Sequence, residues 1–174
     1  MKALRARLRG RGGMSLAEVL IAVMIMSMVM AVLAVGVPAA VRSYRAAVDS
    51  ANAQVYLSTV MTELRDELGL ASDVSADGGL IRYRSADGLS AVLSSESDGI
   101  YRQYTDDSLP AGLSGRQQLV ARPASGSTDM FAQFELDAYA GGVITFRTVS
   151  VRRGSDTLAS MGPYQIRVLA APTS

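Results

Sequence analysis

From Val19 to Val41 the chain runs for 23 residues without a charge, interrupted in its apolar character only by Ser27, Gly36 and Pro38. A helix rising about 1.5 Å per residue makes that run roughly 35 Å long, enough to cross a hydrocarbon core of about 30 Å. A helix buried in a soluble core usually keeps one polar stripe, and this run has none. It predicts a membrane-spanning helix, and the rest of the chain has to be organised around it.

Charge is distributed unevenly on either side. Residues 1–13 carry Lys2, Arg5, Arg7, Arg9 and Arg11 and no acid. From Met14 onward there are 12 arginines, no lysine and 16 acids, a formal side-chain charge of −4. Five cations precede the span, while Arg42 and Arg45 follow it. The excess of positive charge before the helix predicts a cytoplasmic leader and a body on the outer side. The body has no basic block that would track phosphates, so nucleic acid is not an expected direct partner. No cysteine is present, so the body must hold together by packing rather than by disulfides.

Two cleavage patterns are compatible with such an N-terminus. A secretory signal peptide is cut after its apolar run, and Ala39-Ala40 offers small residues there. Gly12-Gly13, by contrast, lies before the run, and Glu18 sits close behind it. An acid near the middle of a bilayer costs about 2.5–3.5 kcal/mol and less at the edge. A generic apolar signal has no use for one. Glu18 has two readings. Ser15-x-x-Glu18 ahead of an apolar run is the pattern of a helix capping box. Alternatively, Glu18 belongs to a wider constellation with the basic leader, Gly13 and the apolar helix.

That constellation, Arg11-Gly12-Gly13 followed by Met14-Ser15-Leu16-Ala17-Glu18-Val19-Leu20-Ile21-Ala22-Val23, resembles the class III leader of type IV pilins and pseudopilins. Met14 stands where the family usually has Phe. The resemblance implies cleavage between Gly13 and Met14 by a prepilin peptidase and methylation of the new Met14 amino terminus. It gives Glu18 the task of meeting the amino terminus of a neighbouring subunit during filament assembly. It also implies, as partners, other pilin or pseudopilin subunits, an inner-membrane assembly platform and, before assembly, membrane lipid. The Glu18-Val19-Leu20-Ile21-Ala22 run is similar to minor pilins and pseudopilins. The filament implied serves adhesion, twitching, DNA uptake or type II secretion, and only in DNA uptake would nucleic acid be met. The location implied is the bacterial cytoplasmic membrane, single-pass with the head outside, and then the pilus or pseudopilus. The rival readings are an uncleaved single-pass protein with an extracytoplasmic binding head, and a secreted enzyme with a conventional signal peptide.

The helical pattern continues past the membrane. Tyr44, Val48, Ala51, Val55, Met61, Leu64 and Leu68 recur at three-, four- and six-residue steps and are expected to form one face, with Gly69 as the stop. Pro38 is expected to kink the helix and Gly36 to soften it. Beyond Gly69 the pattern changes to short apolar alternations. Strands are expected at 80–84, 89–94, 99–104, 117–121, 130–137, 143–151 and 164–170, with turns at Asp87-Gly88, Asp98-Gly99, Gly141-Gly142 and Arg153-Gly154-Ser155-Asp156. A loop is expected from Asp107 to Gly115. The fold class is therefore α+β, a long N-terminal helix packed on an antiparallel sheet head. The expected organisation is a leader over 1–13, a membrane or filament-core helix over 14–42, an amphipathic continuation over 43–69 and a β-rich head over 70–174.

Catalytic chemistry finds little in this sequence. With no His or Cys there is no Ser-His-Asp triad, no cysteine nucleophile and no zinc site of the usual ligands. Lys2, the sole lysine, belongs to the leader. Asp106-Asp107 and Asp66-Glu67 are the candidate acid–base pairs, and adjacent acids are more often solvated surface. Asp73-x-Ser75-x-Asp77-Gly78 resembles half of a calcium loop, but its twelfth position is Arg84 rather than the bidentate Glu required. An Asp-Gly turn is the simpler reading. Gly10-x-Gly12-Gly13 lacks the preceding strand of a phosphate loop. The methionines at 24, 26, 28 and 30 alternate, which does not line one face of a helix. No enzyme activity, cofactor or metal is expected.

Overall fold

The computed structural model describes residues 15–106, 115–121 and 129–169. Gly13 and Met14 lie outside the described residues, as do Asp107 and most of the loop expected there. The described residues form one helix followed by nine strands, and the chain divides into two compact units at Ala46/Ala47.

Helix α1 runs from Leu16 to Gly69, 54 residues without interruption. Pro38 lies inside it and does not end it. A proline removes one backbone donor and crowds one carbonyl, and the intact turns on either side carry the helix through. In the first unit every described residue of α1 is exposed. In the second unit α1 is half-buried. Ala53, Tyr56, Leu57, Val60, Leu64 and Leu68 are buried, and Met61 is partly so.

This corrects the expected face. Leu64, Leu68 and Met61 do pack inward, but Tyr44, Val48, Ala51 and Val55 are exposed. At about 100° per residue these four fall on the side opposite Ala53, Leu57, Val60 and Leu64. The six-residue step from Val55 to Met61 is a switch between two apolar stripes, of which only one meets the head.

The strands are β1 (Ser72–Asp77), β2 (Leu80–Arg84), β3 (Ser90–Glu96), β4 (Gly99–Tyr104), β5 (Arg116–Gln118), β6 (Met130–Ala140), β7 (Val143–Arg153), β8 (Asp156–Met161) and β9 (Tyr164–Arg167). They form two antiparallel sheets rather than one. The first is a five-stranded meander, β1-β2-β3-β4-β5. The second is centred on β7, with β6 along one side and β8 then β9 along the other. Both inner faces alternate as half-buried strands should, with Ile81, Tyr83, Ala91 and Leu93 inward in the first sheet and Ala132, Phe134, Ile144, Phe146, Val149 and Val151 in the second. These residues and the buried face of α1 form one core. The sheets are tied to each other by the Gln133 Nε2 amide, which donates to the Glu96 carbonyl at 2.7 Å, and by the Phe134 N–H, which donates to Ser95 Oγ at 2.9 Å.

Turn chemistry explains the register. Asp77↔Leu80 and Ala140↔Val143 close two-residue hairpins through Gly78-Gly79 and Gly141-Gly142, all four glycines having positive φ. Such a turn requires positive φ at both central positions, which glycine adopts at no steric cost. The expected Asp-Gly turn therefore exists at Asp77-Gly78, but the residues before it are strand β1. β8 was likewise not expected, and β9 stops at Arg167 rather than at 170.

Candidate functional site

Of the residues singled out by the sequence, Glu18 and the Asp66-Glu67 pair lie on α1, and the N-terminus of the helix comes first. Ser15 is the cap. Its carbonyl accepts from the Val19 N–H at 3.1 Å and its Oγ from the Ala17 N–H at 3.3 Å. Its own N–H donates to Glu18 Oε2 at 3.0 Å. The Ser side chain and the Glu side chain each satisfy a backbone donor that the helix leaves free, which is the capping-box arrangement. The carboxylate also sits at the positive end of the helix dipole. Glu18 is exposed, so the cap does not bury it.

Along the next turns Leu16, Val19, Leu20, Ile21, Val23, Met24, Ile25, Met26, Met28, Val29, Met30, Val32, Leu33, Val35, Val37 and Val41 are all exposed. This helix is long and apolar enough to cross a membrane, and none of its most apolar segment is buried by the protein itself. Ser27 adds no exposed polar demand, because its Oγ donates to the Met24 carbonyl at 2.8 Å.

Past the run, α1 carries apolar side chains on two sides. Leu57, Val60, Leu64 and Leu68 are spent on the core. Tyr44, 71% exposed, Val48, Ala51 and Val55, 69% exposed, form the second row. Thr62 and Asp66 continue that row and end its apolar character.

Among the described residues, two charged contacts hold α1 to the strands. Near its entry into the second unit, Arg153 Nη1 donates to Asp49 Oδ2 at 2.7 Å. The Arg153 hydrogen bond holds the Asp49 carboxyl below the usual carboxylate range, and Asp49 in turn raises the Arg153 guanidinium. Near the end of α1, Glu67 accepts from two strands. Tyr83 Oη donates to its Oε1 at 2.6 Å and Arg102 Nη1 to its Oε2 at 2.7 Å. Arg102 Nη2 reaches Gln117 Oε1 at 2.9 Å, and its guanidinium lies 4.9 Å from the centre of the Tyr104 ring. Burial, reinforced by the bond to Glu67, pushes the Tyr83 hydroxyl far above the ordinary phenol range. The Gly69 carbonyl, left free at the helix end, accepts from the Leu169 N–H at 2.9 Å.

In each candidate acid–base pair one described member, Asp106 or Glu67, has a structural partner. Asp106 Oδ2 accepts from the Ser90 N–H at 2.6 Å, pinning the start of β3. Glu67 belongs to the cluster just described and Asp66 is exposed. In the calcium-like segment, Asp73, Ser75 and Asp77 lie in a row on the solvent side of β1, and Asp73 pairs with Arg84 at 3.3 Å. A register shift with positive φ at Asp73 interrupts the row, and no group of three acids among the described residues is placed to share one ion. A groove of about 580 Å³ lies between α1 and the second sheet, lined by Leu57, Met61, Arg65, Met161 and Tyr164, with no carboxylate among its described lining residues.

Comparison of this chain with models of protein families, with curated proteins and with solved structures finds no match in any of the three.

Proposed function

We propose that the chain is a structural subunit, of the minor kind, of a type IV pilus or related pseudopilus. In this reading prepilin peptidase cuts it between Gly13 and Met14, and α1 is first its membrane anchor and then its contribution to the filament core. The observation that carries the reading is the second apolar row. A simple anchor needs apolar surface only as far as the lipid extends. Here Tyr44, Val48, Ala51 and Val55 continue it for about 20 Å beyond Val41, on the side of α1 not used by the head core. A bundle of neighbouring helices gives that surface something to pack against. The capped, exposed Glu18 next to the predicted cut is also suited to an inter-subunit contact.

Intact-mass and N-terminal analysis of the protein from its native membrane tests the proposal. A start at Met14, with or without a methyl group, supports it. A start at Met1 overturns it in favour of an uncleaved anchor with a binding head, and a start near Ala40 overturns it in favour of a secreted protein.

A further inference from the structure

We infer that Arg42, Tyr44 and Arg45 form an anchor for the phosphate headgroups of the outer leaflet, and that this anchor, paired with Glu18, fixes how deep α1 sits in the bilayer. The inference rests on reading α1 as a membrane span. It does not depend on the chain being a filament subunit.

The first argument is distance. Glu18 and Arg42 are the two charges that bracket the apolar run. Their separation of 24 residues is about 36 Å along a helix. A hydrocarbon core is about 30 Å thick, and the bilayer about 40–45 Å with its headgroups. An upright helix centred on Met30 therefore sets both charges about 3 Å outside the hydrocarbon, one in each headgroup layer. Glu18 is then not a charge in lipid at all, and its own cap satisfies part of its demand there.

The second argument is chemistry. Arg42 and Arg45 are three residues apart, so they share one face of the helix. Both are exposed, and neither has an acid partner among the described residues. Arg42 Nε donates to the Pro38 carbonyl at 3.3 Å, which leaves its terminal nitrogens available. A guanidinium offers a fork of N–H donors that suits phosphate oxygens. Between the two, Tyr44 is 71% exposed on an otherwise apolar side, the kind of ring that settles at headgroup level.

The third argument is what happens without the anchor. No other charge occurs between Glu18 and Asp49. Apart from the two arginines, residues 42–48 are Ser, Tyr, Ala, Ala and Val, and nothing in them resists lipid strongly. Asp49 lies seven residues past Arg42, or about 10 Å. Losing both arginines would let α1 slide inward by up to that amount.

The chain has no cysteine, so single labels can be placed cleanly. The full chain carrying Val29→Cys or Ala47→Cys with a nitroxide would be reconstituted in phosphatidylglycerol nanodiscs. Collision with oxygen and with a water-soluble nickel chelate then reads depth. The label at 29 should be inaccessible to the chelate, and its accessibility would sink the membrane-span reading itself. The label at 47 should be in water in the parent chain and move inward by about 5–10 Å, one to two helical turns, in the R42Q/R45Q variant. In bilayers of digalactosyl lipid, which has no phosphate, the parent chain should adopt the variant's depth. A label at 47 that keeps its depth in the double variant overturns the anchor and leaves the pair as a surface for an acidic protein. A parent chain that keeps its depth in galactolipid overturns the phosphate assignment.

Discussion

Arg153 and Asp49 lie 104 residues apart in sequence and 2.7 Å apart in the fold. The bond links the β7–β8 hairpin to α1 within four residues of the boundary between the two compact units. Its position makes it a clamp on the first turns of helix that belong to the head. The sign of its pH dependence follows from Asp49, whose carboxyl is held below its ordinary value of 3.8 by Arg153. The stabilisation is present above that ordinary value and is lost as pH falls through the depressed one. Arg153 stays charged throughout and adds no step of its own. Thermal melts of the parent and of D49N in detergent should therefore differ at neutral pH and converge at strongly acid pH. A difference that persists unchanged in acid would show that Asp49 acts by packing rather than by charge. High salt should also narrow the gap, because both groups are partly exposed.

At the other end of the docked helix, Glu67 joins α1 to β2 and β4 through Tyr83 and Arg102. With its side chain 14% exposed and that of Arg102 22% exposed, this pair is much less open to water. Truncating one partner leaves the other buried without its counter-charge, which costs about 3–5 kcal/mol. E67A should lower unfolding free energy by about that amount at the upper limit, since some solvent reaches both groups. E67Q keeps an acceptor and should cost less. Denaturant melts at neutral pH distinguish the two, and equal costs would mean that hydrogen-bond geometry contributes nothing separate from side-chain removal.

Tyr83 gives the same cluster an alkaline signature. Its hydroxyl is raised by burial first and by Glu67 second. A folded-state value raised above the unfolded one gives stability that is complete below an ordinary phenol value of about 10 and is lost above it. Ultraviolet titration should show Tyr83 ionising only together with unfolding. In Y83F the slope of stability against pH above about 10 should flatten. An unchanged slope would assign the alkaline loss to other tyrosines.

The two apolar rows of α1 should separate stability from assembly. Leu64 is fully buried, and L64A is expected to cost about 2–5 kcal/mol in the isolated subunit. Val55 is 69% exposed, and V55D should change that stability by less than about 0.5 kcal/mol. In cells the order should reverse in kind. V48D and V55D subunits should be stable in the membrane yet absent from sheared filaments. Normal incorporation of both would remove the main support for the filament reading.

Those rows also show where sequence reasoning reached its limit. Periodicity identified apolar helix surface correctly but could not assign it, because a row destined for the core and a row left exposed have the same three- and four-residue spacing. The broader stripe containing Tyr56, Leu57 and Val60 was the signal that marked the docked side. Strands with clear alternation were legible, and β2 and β4 begin and end at the expected residues. β1 and β8 were not. Ser72–Asp77 holds two aspartates and a single branched apolar residue, a composition that strands avoid, and Asp156–Met161 shows no alternation. Each is an outer strand defined by the neighbour it pairs with, β2 or β7, rather than by its own residues. The division into two sheets has no local signature at all. Of the N-terminal constellation, the Ser15–Glu18 cap was legible because capping is local chemistry, and Gly13 and Met14 lie outside the described residues.

The cap sharpens what a test of Glu18 must do. In the single chain its carboxylate already accepts from the Ser15 N–H, so an inter-subunit contact would have to compete with a bond it has. The exchange is favourable only if the new partner carries a positive charge, since one neutral N–H traded for another gains nothing. Glu and Gln both close a capping box, whereas Ala does not. If Glu18 only caps, E18Q should behave like the parent, and E18A should lose on the order of 1 kcal/mol of helix-end stability, comparable to loss of a cap. If Glu18 also meets a neighbour's amino terminus, E18Q should be as defective in filament incorporation as E18A, while membrane insertion and cleavage after Gly13 proceed in both. The ratio of filament to membrane subunit for the three chains, compared at equal expression, decides between the roles. An E18Q chain found in filaments at the parent ratio would leave the carboxylate with its local task alone.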